Sequence, residues 1–287
     1  MPAAEFDIDA TLVHQLLADQ FPELAGSDIV ELANGWDNVM FRLGDDLTVR
    51  LPRRQAAVPL IDNEQRCLDI LAPRLAIPVP APLYRGVPSV EFPMPWSICP
   101  WFPGEMASDV PLAEPPREAR RLGALLVALH QPAPTDAPEN PFRGQDVRGI
   151  EHRVVENLSK LQRDDADDLI DRWRGWAMVE PHQGPPMWLH GDLHTANMLV
   201  DRGTISAVID FGDVTSGDPA VDFPVAWMLF DREARYVFRQ AASHSDDALW
   251  SRARAWALHF ALMYLANSAD NPRLHAMGER LLAALTE

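Results

Sequence analysis

Residues 188–214 concentrate side chains that can do acid–base and metal chemistry. The segment reads WLHGDLHTANMLVDRGTISAVIDFGDV, with Asp192 and Asn197 five residues apart and Asp210 after the second of two apolar runs. The carboxylate of Asp210 and the amide oxygen of Asn197 are hard oxygen donors, the kind of ligand that Mg²⁺ prefers. Asp192 is a carboxylate that can orient a substrate hydroxyl and take its proton.

The same segment predicts the element that positions these side chains. Apolar runs at residues 197–200 and 205–209 flank an Asp-Arg-Gly turn at 201–203, which is typical of a β-hairpin. Such a hairpin brings the two aspartates and the asparagine to one end. The order H-x-D-L-x-x-x-N followed by D-F-G is also the pattern of the catalytic loop and metal-binding segment of protein kinases.

Two histidines open a second interpretation of this segment. If the chain is extended here, H-x-D-x-H puts His190, Asp192 and His194 on one face, where they would ligate the metal of a hydrolase. That interpretation gives no role to Asn197 or Asp210. In the kinase-like interpretation, His190 instead forms a hydrogen bond within the loop.

The first hundred residues predict a small sheet with one main helix. Short apolar runs separated by Asn-Gly and Gly-Asp-Asp turns indicate an antiparallel meander over residues 28–51. Apolar residues at mixed three- and four-residue spacing predict a helix over 58–71. Two further strands are expected near 83–86 and 94–102, after a proline-rich extended connection.

Composition changes near residue 103, where an acidic, proline-rich run begins and a boundary is expected. Beyond it, leucines at i, i+3, i+4 and i+7 spacing predict a helix over 117–130. Further helices are expected within 146–180 and 220–287.

Together these elements indicate an α+β fold of two lobes. The N-terminal lobe, residues 1–102, carries the antiparallel sheet and its one main helix. The C-terminal lobe, residues 103–287, is mainly helical and contains the hairpin with the chemistry-bearing residues.

Composition and charge exclude several classes of protein. The chain has 287 residues, with 25 Lys+Arg against 42 Asp+Glu and a net charge of −17, so no nucleic-acid partner is expected. No apolar stretch reaches the roughly 18 residues of a membrane span, and the N-terminus lacks the basic residues of a secretory signal. Two cysteines, Cys67 and Cys99, cannot form a disulfide framework. A cytoplasmic protein without a membrane partner is expected.

These motifs resemble those of the aminoglycoside phosphotransferase family, small-molecule kinases with a protein-kinase-like fold. The motifs that carry the resemblance are His190-Gly191-Asp192, Asn197, IDFGD at 209–213 and GDPAVDF at 217–223. Glycine at 191 and the lack of an A-P-E segment after Gly212 distinguish the chain from protein kinases. The resemblance extends from about Ile29 to the C-terminus, and it implies structural roles for Asp218 and Asp222.

The resemblance implies a nucleotide site in the N-terminal lobe, beginning with Gly35 and Asn38 in the hairpin that covers the nucleotide. The family's phosphate-binding lysine has no counterpart, since the chain's one lysine is Lys160. Arg50 therefore takes its position, paired with Glu64. The strand that leads to a hinge near 97–101 supplies candidate contacts to the purine base. These are Ser97, Ile98 and Cys99.

The resemblance also implies the reaction and its components. The donor is ATP or GTP, the cofactor is Mg²⁺ held by Asn197 and Asp210, and Asp192 is the catalytic residue. The acceptor is expected to be a hydroxyl of an amine-bearing natural product, an aminoglycoside first and a macrolide next, as for antibiotic-resistance kinases. The alternatives are a metabolic kinase of choline or amino-sugar type and an inactive, nucleotide-binding pseudokinase.

Overall fold

The computed structural model describes residues 3–242 and 246–286, which form two compact units. The first unit runs to Pro103 and takes in the separate segment Ala207–Gly212. The second unit comprises Gly104–Ser206 and the chain from Asp213 onward. The expected α+β class is confirmed, because the chain begins with an antiparallel sheet and continues mainly as helices.

The first unit is built on a five-stranded antiparallel sheet of order β1-β2-β3-β5-β4. Its strands are β1 (Ile29–Asn34), β2 (Asn38–Leu43), β3 (Leu47–Pro52), β4 (Tyr84–Gly86) and β5 (Trp96–Pro100). Val39, Phe41 and Leu43 alternate along β2 and are buried, which gives the sheet one core-facing side. The meander predicted over 28–51 is therefore present.

Two helices accompany this sheet. The predicted helix α2 spans Val58–Leu71 and buries Ile61, Glu64 and Leu68, so a carboxylate lies on its otherwise apolar face. An additional helix, α1 (Ala10–Gln20), starts at Asp9, whose side chain accepts from the backbone N–H of Leu12. Sequence analysis assigned no element to α1, although its buried residues follow helical spacing; they are Val13, Leu16 and Leu17.

The strands of the second unit are short. They are β6 (Glu105–Met106), β7 (Met187–Leu189), β8 (Met198–Asp201), β9 (Thr204–Val208) and β10 (Thr215–Gly217), and the last two residues of β9 are counted with the first unit. The predicted hairpin is β8 and β9, and β6 pairs with the free side of β8. The antiparallel pair β7 and β10 had not been predicted, because three-residue strands are too short to show alternation.

Helices make up the rest of the second unit. They are α3 (Pro115–Leu129), α4 (Glu151–Leu161), α5 (Ala166–Ala177), α6 (Val225–Leu229), α7 (Arg232–Ala241), α8 (Asp247–Asn267) and α9 (Pro272–Thr286). The longest, α8, is buried over most of its length, with Trp256 fully inaccessible at its centre. Within 3–242 and 246–286, none of the helices combines the length and hydropathy of a membrane span.

Candidate functional site

In the first unit, Arg50 and Glu64 form the predicted ion pair. The Nη1 of Arg50 on β3 lies 2.8 Å from the Oε1 of Glu64 on α2, and both side chains are more than nine-tenths buried. Burial alone would lower the pKa of Arg50, but the charges of Glu64 and Asp210 raise it above its ordinary value. Arg50 therefore stays a cation at any pH at which the protein is folded.

Glu64 also joins this pair to the segment Asp210-Phe211-Gly212. Its Oε1 accepts from the backbone N–H of Phe211 at 2.9 Å, and the Nη2 of Arg50 lies 3.7 Å from the Oδ1 of Asp210. Asp210 adopts a φ of 65°, a left-handed conformation that is uncommon outside glycine. Its side chain is 55% exposed, so its carboxylate is available to a ligand. The structure thus brings together Arg50, Glu64 and Asp210.

The hairpin turn between β1 and β2 is stabilised by Arg53. The N–H of Gly35 donates to the carbonyl of Asn38 at 2.8 Å, and the Nη1 of Arg53 donates to the carbonyl of Gly35 at 2.8 Å. The Oδ1 of Asn38 is buried and has no hydrogen-bond partner among the described residues. The role of Arg53 in closing this turn had not been predicted, because basic residues after a strand are common on protein surfaces.

The three candidate base-contacting residues lie on β5 and are all buried. Ser97 and Ile98 are paired with β3 on one side and β4 on the other, so their backbone groups face neighbouring strands. Cys99 is paired with Thr48 of β3 only. Burial raises the pKa of the Cys99 thiol to about 12, which keeps the thiol protonated. Of the three, Cys99 is the residue whose backbone is not paired with a strand on the β4 side.

In the second unit, Asp192 is held on both carboxylate oxygens. Its Oδ1 lies 3.1 Å from the Nη2 of Arg143, and its Oδ2 lies 3.3 Å from the Nε2 of His194. The Nδ1 of His194 accepts from the backbone N–H of Ala196 at 3.2 Å, so the ring proton is on Nε2 and is donated to Asp192. The side chain of Asp192 remains 25% exposed.

These neighbours decide the protonation state of Asp192. Burial would raise its pKa, but His194 and Arg143 together hold the pKa of this carboxyl well below its usual range. Beside it, burial and the Asp192 charge raise the pKa of Tyr264 well above the ordinary value. At neutral pH the ionised carboxylate of Asp192 therefore lies beside the guanidinium cation of Arg143 and the neutral phenol of Tyr264.

The loop backbone is fixed by groups behind Asp192. The N–H groups of His190 and Gly191 donate to the carboxylate of Asp222 at 2.8 and 2.9 Å. Gly191 has a φ of 86°, and a Cβ there would lie 2.3 Å from the carbonyl oxygen of Asp213. The expected structural role of Asp222 is confirmed, and so is that of Asp218, which caps the following turn and pairs with Arg252 at 2.7 Å.

The amide of Asn197 is oriented by the loop backbone. Its Nδ2 donates to the backbone carbonyl of Asp192 at 3.0 Å. The Oδ1 on the other side of the amide is a hard oxygen donor of the kind that Mg²⁺ prefers. The donor set of Asn197 and Asp210 fits Mg²⁺ in its chemistry. The hydrolase interpretation is not supported, because no group of three or more His, Cys, Asp or Glu in the described parts of the chain could hold a metal. His190 instead accepts from the N–H of Asp192 at 3.3 Å.

Two residues beside Asp192 had not been predicted. Arg143 lies in the proline-rich loop before α4, and Tyr264 lies on α8, more than seventy residues along the chain from Asp192. The guanidinium of Arg143 also lies over the ring of Phe260, 5.1 Å from its centre. Nothing in local spacing marks these residues, since long-range folding brings them to the loop.

Comparison with known proteins identifies the family. The profile of the phosphotransferase enzyme family matches residues 28–256, which is most of the chain. The chain therefore belongs to this family, and it is an enzyme that transfers phosphate to an alcohol group.

Solved structures establish the kinase-like fold. The GDP complex of wild-type aminoglycoside 2'-phosphotransferase-IIIa has a TM-score of 0.74 at 18% identity, over 97% of this chain and 99% of that chain. The streptomycin–ATP–APH(2")-IIa ternary complex has a TM-score of 0.62 at 18% identity, over 97% of each chain. Macrolide 2'-phosphotransferase MphH from Brachybacterium faecium, as the apoenzyme, has a TM-score of 0.65 at 25% identity, over 96% and 97%. The resemblance stated from the sequence motifs is thereby confirmed.

Proposed function

We propose that the protein transfers the γ-phosphate of ATP or GTP to a hydroxyl group of an amine-bearing natural product. The observation that carries the proposal is Asp192, which Arg143 and His194 keep ionised on a loop that also carries Asn197. A carboxylate of this kind orients the acceptor hydroxyl and accepts its proton as the phosphate is transferred.

The first unit supplies the residues proposed to bind the donor. Arg50 contacts the phosphate oxygens, and Glu64 keeps its guanidinium oriented through the 2.8 Å ion pair. The hairpin turn with Gly35 and Asn38 covers the phosphates. Base contacts are proposed for β5, through Cys99 in preference to Ser97 and Ile98, because its edge carries no second strand. The GDP and ATP in the complexes of similar proteins support a nucleotide donor.

Asn197 and Asp210 are the proposed ligands of Mg²⁺. When bound, the cation would offset negative charge on the phosphates. The chain's own part is to present one amide oxygen and one carboxylate at fixed backbone positions. The left-handed φ of Asp210 and the hydrogen bond from Asn197 to the Asp192 carbonyl fix these positions.

The surroundings of Asp192 present both signs of charge and an aromatic ring to an acceptor. Arg143 is a fixed cation 3.1 Å from the catalytic carboxylate, and it lies over the aromatic ring of Phe260. The Asp192 carboxylate is paired with this guanidinium, so its attraction for an acceptor ammonium offsets the repulsion by the guanidinium. An aminoglycoside therefore stays the first proposed acceptor, with a macrolide next.

Release of nucleoside diphosphate tests the proposal. Wild-type protein is incubated with Mg²⁺ and either ATP or GTP, alone and with an aminoglycoside, a macrolide, choline and an amino sugar. We expect acceptor-dependent release with an amine-bearing antibiotic, the aminoglycoside first and the macrolide next. Efficient turnover of choline or the amino sugar alone would replace the antibiotic with a metabolite. Tight nucleotide binding without turnover on any acceptor would support the pseudokinase alternative.

A further inference from the structure

A cavity of about 700 Å³ in the second unit has an excess of arginine in its lining. It lies among helices α5, α6, α7, α8 and α9, and we call it the arginine cavity. Its arginines are Arg172, Arg232, Arg235, Arg239 and Arg254. Its described lining contains no acidic side chain, although the whole chain has a net charge of −17. These positive charges repel each other, and an anion bound in the cavity would offset that repulsion.

Three of these arginines are available to a ligand. Arg239 pairs with Asp247, and Arg235 donates to the carbonyl of Phe230 at 3.4 Å. Arg172, Arg232 and Arg254 are exposed and form no ion pair with any residue in 3–242 or 246–286. A guanidinium binds a phosphate group through two parallel hydrogen bonds, so three of them can hold one phosphate from several directions.

Aromatic side chains form the other part of the lining. The guanidinium of Arg239 lies 5.3 Å from the ring centre of Trp250, and that of Arg235 lies 5.9 Å from the ring centre of Trp227. Tyr236 also lines the cavity and is 66% exposed. An exposed aromatic face in the same cavity as the guanidinium groups of Arg172, Arg232 and Arg254 suits a ligand that combines a planar ring with a negative charge.

The arginine cavity is separate from the catalytic loop. Helix α8 places Phe260 and Tyr264 near Arg143 and Asp192, whereas Trp250 lines the cavity. Trp250 and Phe260 are ten residues apart, which corresponds to about 15 Å along a helix. A ligand in the cavity therefore contacts neither Asp192 nor its ion-pair partners.

We propose that the arginine cavity is a second ligand site, which binds a small organic anion carrying a phosphate group and a planar ring. The volume is in the range of small-molecule sites, about 300 to 1,000 Å³. The phosphate lies between Arg172, Arg232 and Arg254, and the ring lies against Tyr236. This site goes beyond phosphoryl transfer, since none of its residues belongs to the donor or acceptor machinery.

Titration calorimetry with 1-naphthyl phosphate tests the site in the full chain. The test variant combines Arg172→Gln with Arg254→Gln. The control variant combines Arg117→Gln with Arg120→Gln. Both arginines are exposed on α3, so this variant loses the same amount of charge at a different place on the unit. We expect saturable binding to the wild type, a loss of at least about tenfold in the test variant, and a change within about twofold in the control. Both variants should keep the wild-type kcat.

Two further ligands test the chemical class, and one further variant tests the location. Pyrophosphate lacks the ring and 1-naphthol lacks the charge, so each should bind more weakly than 1-naphthyl phosphate. Equal binding by either compound contradicts the proposed ligand class. Unchanged affinity in the test variant, or no saturable binding to the wild type, overturns the site itself. Loss of binding in Arg50→Ala, measured at a temperature where that variant is folded, would overturn it as well, because the probe would then occupy the donor site.

Discussion

Asp192 is kept ionised by its neighbours. Arg143 and His194 hold the pKa of this carboxyl well below its usual range, so the group is ionised throughout the physiological range. Asp192→Asn keeps the size of the side chain and removes the proton acceptor. We expect kcat to fall by at least about a hundredfold, with nucleotide affinity little changed. Steady-state kinetics and a nucleotide titration measure the two effects, and near wild-type turnover would remove Asp192 from the mechanism.

Arg50 tests the donor side of the proposal. Arg50→Ala leaves the Glu64 carboxylate buried without its cation, so we expect a loss of about 3 to 5 kcal/mol in unfolding free energy as well as a higher nucleotide KM. Arg50→Lys keeps the charge and should keep measurable activity. Denaturant unfolding separates the two effects, and the nucleotide KM is compared at a temperature where each variant is folded. A normal nucleotide KM in Arg50→Ala would assign the phosphates to another residue.

The sequence predicts side-chain contacts where the residues belong to recognisable local motifs. The ion pair of Arg50 with Glu64 was predicted, because a strand cation and a helix carboxylate can be aligned to known motifs. The contacts of Asp192 with Arg143 and Tyr264 were not, because these residues lie on a loop and a helix far away in the chain. The electrostatic state of the loop therefore depended on tertiary structure.

At the scale of elements, the longer helices and strands were predictable from periodicity and turns. Helix α2 was predicted over 58–71 and spans Val58–Leu71. The strands β6, β7 and β10 were missed because two or three residues carry no period. The helix α1 was missed although Asp9 and its apolar spacing indicate a helix start.

Packing between α3 and α7 depends on a glycine. A Cβ on Gly123 would lie 2.8 Å from the Cβ of Ala241 and 2.9 Å from the backbone nitrogen of Ala242. We expect Gly123→Ala to lower the unfolding free energy by about 1 to 3 kcal/mol, because the two helices must move apart. Gly175→Ala on α5 is the matched control, since a Cβ there meets nothing within 4 Å.

The control substitution should change the unfolding free energy in the opposite direction. Alanine in an exposed helix position is favoured over glycine by roughly 0.5 to 1 kcal/mol, so Gly175→Ala should stabilise the protein slightly. Both variants are compared by denaturant unfolding. Equal stability of Gly123→Ala and the wild type would contradict the close packing of α3 on α7.

At the scale of the whole molecule, stability should depend on pH through His259. This side chain is 3% exposed, and burial, together with Arg143 and Arg153, lowers its pKa to about 3. The folded state therefore prefers the neutral ring, whereas the unfolded chain takes up a proton near pH 6.5. The stability from this preference is fully present above about pH 6.5 and falls as the pH drops toward 3.

His259→Gln measures this contribution because it removes the titrating group with a similar neutral side chain. The loss of stability between pH 8 and pH 5 should be smaller in the variant than in the wild type by about 2 kcal/mol. Urea unfolding at the two pH values gives both differences. If the variant loses as much stability as the wild type, the assignment of a buried, neutral ring to His259 is wrong.

Direct detection of a phosphorylated acceptor tests the central claim most closely. Mass spectrometry of reactions with Mg²⁺, ATP or GTP, and the acceptor that gave the most nucleoside diphosphate would identify the modified hydroxyl. Wild-type protein should give a singly phosphorylated product, and Asp192→Asn should give at least about a hundredfold less in the same time. Product formed at the same rate by Asp192→Asn, or nucleoside diphosphate released with no phosphorylated acceptor, would contradict phosphoryl transfer through Asp192.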